Sequence, residues 1–180
     1  MKKYLCLLLF LVLSVVANAQ NNTLAALNQQ QTDTMKTGMV VLGAWALLNI
    51  LIGSFRLMKA TRSKRYFFQM NIYWNIVNML IASVALYLLL TANAAAPALS
   101  ESIAQHSWFK KILYLNMGLD VAYLMTGVWL QERSRYSPKT EQLEGWGQAV
   151  VLQGLFLLLL DVVLTILLEN QAPAFYSLMP

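Results

Sequence analysis

Asp120 and Asp161 each stand inside a long run of apolar residues, where a carboxyl group is both costly and chemically useful. At the centre of a membrane helix an aspartate costs about 2.5–3.5 kcal/mol on insertion scales, more than the ~1 kcal/mol an ordinary hydrogen bond returns. Both side chains are therefore expected to turn away from lipid. Ionised or exchanging a proton, they form a proton or cation site. Held protonated, they are hydrogen-bond donors that fix helix register, and spacing alone leaves both roles open.

Other polar residues recur with helical spacing. Gly38, Trp45, Asn49, Ile52 and Arg56 fall on one face, as do Asn71, Asn75 and Asn78 followed by Ala82 and Ala85. Asn116, Asp120, Tyr123 and Gly127 make a third stripe. Gly147, Gly154, Asp161 and Thr165 make a fourth, with Gln153 about a quarter turn away. Amides on such stripes bond across helices, each interaction contributing about 0.6 kcal/mol. At about 1.5 Å per residue, Asn49, Asn78, Asp120 and Asp161 are expected at one depth. Arg56, Asn71, Asn75 and Gln153 are expected in a second layer nearer the cytoplasm.

Other chemistry is not supported. Cys6 is the only cysteine and His106 the only histidine, so thiol catalysis, haem ligation and zinc sites have no constellation. His106, in a polar connection, is expected to be solvated. There is no nucleotide loop, no Gly-rich fingerprint and no Ser/His/Asp set with workable spacing. The expectation is a protein without catalytic residues or cofactor.

The elements that position these residues follow from composition. Of 180 residues 58% are hydrophobic and 12% charged, which excludes an ordinary water-soluble globule. Four apolar runs, about Thr37 to Met58, Phe67 to Leu90, Trp108 to Leu130 and Trp146 to Leu168, are long enough to cross a bilayer. None alternates in polarity as barrel strands do, so all four read as helices. Pro97, Pro138, Pro173 and Pro180 are all expected in loops or the tail. Trp108, Trp129 and Trp146 sit at span ends, as in an aromatic belt, whereas Trp45 and Trp74 lie deeper. The fold class is thus an all-α, antiparallel, transmembrane four-helix bundle with its polar stripes facing inward.

Lys2 and Lys3, the apolar run from Leu5 to Ala17 and the Ala17-Asn18-Ala19 site describe a signal peptide over 1–19. Residues 20–36, rich in Asn, Gln and Thr, read as a flexible or weakly helical external arm, 37–170 as the membrane domain and 171–180 as a short external tail. The stretch from Ala94 to Gln105 reads as a short helix lying on the membrane surface. Lys and Arg outnumber Asp and Glu by 13 to 8, and the excess lies beside the apolar runs. Arg56, Lys59, Arg62, Lys64 and Arg65, and then Arg133, Arg135 and Lys139, place two connections in the cytoplasm and both mature termini in the periplasm. The excess orients the chain and does not signal nucleic-acid binding; the expected partners are the lipid bilayer and a membrane protein or further copies of the chain.

The strings Phe68-Gln69-Met70-Asn71 with Trp74-Asn75 and Asn78, Asn116-Met117-Gly118-Leu119-Asp120 with Tyr123 and Gly127, and Gln153-Gly154 with Asp161 carry a resemblance. Over about 37–170 the chain resembles a group of uncharacterised bacterial four-helix membrane proteins. The resemblance implies the fold and the membrane address, and no activity. The expected role is a non-enzymatic scaffold or accessory bundle of the inner membrane, the alternative a small proton- or cation-coupled transporter working as an oligomer.

Overall fold

The computed structural model describes residues 2–92 and 98–179, with side chains from Thr23 onward. Four helices follow one another: α1 (Lys2–Leu57), α2 (Arg62–Thr91), α3 (Leu99–Ser134) and α4 (Thr140–Tyr176). The described residues contain no strand. All four helices are long and apolar enough to cross a membrane. The expected signal peptide lies where the side chains are outside the described residues.

Helix packing follows the polar stripes. The buried face of α2 carries Asn71, Asn75, Asn78 and Ala82, that of α3 carries Leu113, Asp120 and Gly127, and that of α4 includes Gly147, Gln153, Gly154, Asp161 and Thr165. Val40, Leu48, Leu80, Leu115 and Leu159 are among the many large apolar side chains left exposed. This polar-in, apolar-out distribution is what a hydrocarbon solvent selects, because only the interior can satisfy hydrogen-bonding groups. On α1 the stripe departs from expectation: Gly38 is buried and Asn49 half-buried, but Ile52 and Arg56 are exposed. Both lie in the last turns of α1, where Gly53 instead occupies the buried face.

The helices are joined at a basic end by the connections 58–61 and 135–139. Arg62, the only non-glycine among the described residues with positive φ (53°), turns the chain into α2, and its side chain reaches Glu141 of α4 at 4.0 Å. Near this end α3 and α4 approach backbone to backbone. A Cβ on Gly147 would lie 2.6 Å from the Gly127 carbonyl oxygen, and one on Gly127 would lie 2.8 Å from that of Gly147. Only glycine permits this separation. By contrast, among the described residues no Cα of α2 comes within 8 Å of any in α3, so a gap runs between those two helices.

Three sequence-based expectations change at the opposite, polar end. Residues 20–36, expected as a flexible or weakly helical arm, are helical and continuous with α1, and Leu24, Asn28, Gln31, Thr32 and Met35 are buried rather than free. The described part of the 94–105 stretch is not a separate surface helix; from Leu99 it forms the first turns of α3. The tail continues α4 to Tyr176 with Pro173 inside the helix and with Gln171, Ala172 and Phe175 buried. The N-terminal part of α1 has partners in both of the others, Asn28 bonding Ser102 and Thr34 bonding Gln171, so tertiary packing overrides local composition. Between this end and the aspartates, Met35, Leu89, Leu113, Leu164 and Leu168 form an apolar cluster.

Candidate functional site

The interior holds three polar layers. Nearest the basic end, Trp45 of α1 donates its indole N–H to Gln153 Oε1 of α4 at 2.9 Å, and Gln153 Nε2 donates to Asn71 Oδ1 of α2 at 2.5 Å. Asn71 Nδ2 then donates to Asn49 Oδ1 at 2.8 Å, and Asn49 Nδ2 donates to the Trp45 carbonyl. The ring closes on itself across three helices. Asn75 donates to the Asn71 carbonyl at 2.7 Å, and Phe156 stacks on Trp45 with centroids 4.0 Å apart. Gln153 is fully buried between α1 and α2, while the neighbouring Gly154 lets α4 approach α3. Asn49 was expected beside Asn78 and the aspartates; its bond to Asn71 puts it one layer closer to the basic end.

The middle layer contains the acidic pair. Asp120 (3% exposed) and Asp161 (7%) enter the interior from α3 and α4. Asn116, one turn before Asp120, faces the same space as the two carboxyls. Asp120 Oδ2 and Asn78 Nδ2 are buried without a hydrogen-bond partner. These groups line a cavity of about 550 Å³, together with Trp74 and Tyr123. Trp74 and Tyr123 meet edge to face, with centroids 4.8 Å apart, and so bridge the gap between α2 and α3. Of the ten site residues expected from sequence, Asn78, Asn116, Asp120, Tyr123 and Asp161 line this cavity. Trp45, Asn49, Asn71, Asn75 and Gln153 form the amide layer beside it.

Sequence reasoning missed the third layer. His106, expected in solvent, is 1% exposed; its Nδ1 lies 2.6 Å from Gln31 Oε1, and its ring packs on Phe175. One turn earlier on each helix, Asn28 Nδ2 donates to Ser102 Oγ at 2.9 Å. Gln171 Nε2 donates to Thr34 Oγ1 at 3.0 Å, bringing α4 into the same layer. Just below it, Lys110 and Tyr114 both bond Glu169. The detectable signal was the spacing of Leu24, Asn28, Gln31 and Met35, a helical stripe written in amides. Among the described residues no group of three His, Cys, Asp or Glu side chains could hold a metal ion.

Residues 41–162 match a family of unknown function, DUF6992. The chain belongs to that family. The matched stretch encloses the amide layer and the acidic pair; of the polar end it takes in Ser102 and His106 of α3 and leaves out Asn28, Gln31 and Thr34 of α1 and Gln171 of α4. No curated protein and no solved structure matches the chain.

Proposed function

We propose that this DUF6992 chain is an integral membrane protein whose four spans run antiparallel and whose acidic pair, Asp120 and Asp161, takes up a proton or a cation within the bilayer. One observation carries the reading: both carboxyls line a cavity of about 550 Å³, and Asp120 Oδ2 is buried there without a partner. Polar groups kept only for packing are normally bonded, as most of the amide layer is. An intramembrane carboxyl with free acceptor capacity beside open volume is suited to exchange a proton or hold a positive charge. Coupled to movement across the membrane, such a site makes a small carrier, and the unbroken helices favour its working as an oligomer. No catalytic residue or resident cofactor is part of this reading.

Orientation follows from charge. The two connections at the basic end face the cytoplasm, both mature termini face the periplasm, and the bilayer is the inner membrane of a bacterium. A signal peptide ending at Ala19 leaves 180 − 19 = 161 residues beginning at Gln20. The intact mass of the purified protein tests that cleavage.

A second reading, a non-enzymatic scaffold for a membrane-protein partner, is supported by the closed ring of Trp45, Gln153, Asn71 and Asn49, whose side chains spend their hydrogen bonds on joining three helices. Proteoliposomes separate the two. A carrier shows ion flux driven by a pH gradient that Asp120→Asn and Asp161→Asn abolish. A scaffold shows no such flux, and both variants keep the fold and any co-purifying partner.

A further inference from the structure

We infer that the ligand of the acidic cavity is a lipophilic organic cation, a quaternary or protonated ammonium on an apolar body, which enters sideways between α2 and α3. This rests on the reading of Asp120 and Asp161 as a cation site and names the class of cation.

Four observations lead there. First, the mouth opens laterally. The cavity-lining residues that are well exposed, Tyr73, Val77, Ile81 and Leu119, lie on α2 and α3, the two helices whose backbones stay apart. The apolar cluster around Leu113 and Leu168 lies towards one end and the amide ring towards the other, so the route leads through hydrocarbon. A ligand arriving that way must have an apolar body. Second, the charge is one-sided, because Asp120 and Asp161 line the cavity and no Lys, Arg or His does. Third, the walls carry the rings of Tyr73, Trp74 and Tyr123. Aromatic faces beside carboxylates recognise ammonium groups, above all those that lack N–H donors. Fourth, about 550 Å³ falls in the range of small-molecule sites, roughly 300–1,000 Å³, and far exceeds the ~30 Å³ of a water molecule. A bare ion would leave most of it unfilled.

The test is equilibrium binding of radiolabelled phenyltrimethylammonium to the purified full chain in nanodiscs of zwitterionic phosphatidylcholine, with empty discs as background. The neutral isostere tert-butylbenzene serves as competitor. The expected result is saturable binding that tert-butylbenzene does not displace. It weakens on the order of tenfold or more when Asp120→Asn and Asp161→Asn are combined. Trp74→Leu weakens it about 2- to 30-fold. Val77→Trp fills the mouth from an exposed position and lowers binding without touching the interior, so the proposal remains testable if the aspartate variants fail to fold. Equal competition by tert-butylbenzene, or wild-type affinity in both Trp74→Leu and Val77→Trp, overturns the proposal. Absence of phenyltrimethylammonium binding alongside Asp-dependent proton flux overturns this inference and leaves the proton site standing. Absence of both removes the two readings together.

Discussion

His106 Nδ1 and Gln31 Oε1, 2.6 Å apart and both almost fully buried, tie α3 to α1 beyond the apolar spans. Contacts between these two helices are otherwise sparse, so this pair and the neighbouring Asn28–Ser102 bond hold the N-terminal part of α1 in place. Replacing Gln31 with Leu strands the imidazole and is expected to cost about 1–3 kcal/mol. Adding His106→Leu should cost less than the sum of the two single changes, as a double-mutant cycle on unfolding in mixed micelles measures. Strict additivity would mean that the pair does not interact.

Glycines make a sharper contrast. A side chain at Gly147 or Gly127 would collide with the facing backbone, whereas a Cβ on Gly118 meets nothing within 4 Å. Gly147→Val and Gly127→Val should separate α3 from α4 and cost several kcal/mol, on the order of an overpacked core or more. Gly118→Ala should be neutral or stabilise by up to ~1 kcal/mol through helix propensity. Melting temperatures of the three purified variants check the order.

Gln153 joins two neighbours at once, accepting from Trp45 and donating to Asn71. Its replacement by Leu leaves the indole N–H and the amide oxygen without those bonds, at an expected cost of about 1–3 kcal/mol. The intrinsic fluorescence of Trp45 should shift as its hydrogen bond and local packing change. The Phe156→Leu variant, which removes the stack but not the bond, separates the two contributions.

Topology is open to direct measurement. In a Cys6→Ser background, cysteines at Lys59 and Tyr136, both exposed at the basic end, should resist a membrane-impermeant maleimide in intact cells. A cysteine at Ser100, exposed at the polar end, should react. The opposite pattern would invert the proposed orientation.

The polar stripes were legible because hydrocarbon allows almost no alternative: Asn71, Asn75, Asn78, Asp120, Gln153 and Asp161 have to face inward once the spans are helices. The spacing also identified Gly127 and Gly147 as interior positions. Relative depth was less legible. A residue count from a span end places a side chain only to within about a turn, and Asn49 accordingly fell into the neighbouring layer. The polar end escaped because the spans were delimited by apolarity, and helix that leaves the lipid has none to show. Leu24, Asn28, Gln31 and Met35 carry the right period, but their partners Ser102 and His106 stand more than seventy positions away.

The helices also differ in reach. Measured from the expected spans, α1 from Thr23 continues about 20 Å past the polar face of the bilayer and α3 and α4 just over 10 Å each, while α2 stops close to its surface. In the proposed membrane embedding, α1, α3 and α4 therefore form a three-pronged knob outside the lipid. An antibody fragment raised against it would grip a fixed epitope, supplying the mass and asymmetry that electron microscopy needs to align images of so small a particle while leaving the lateral entrance clear.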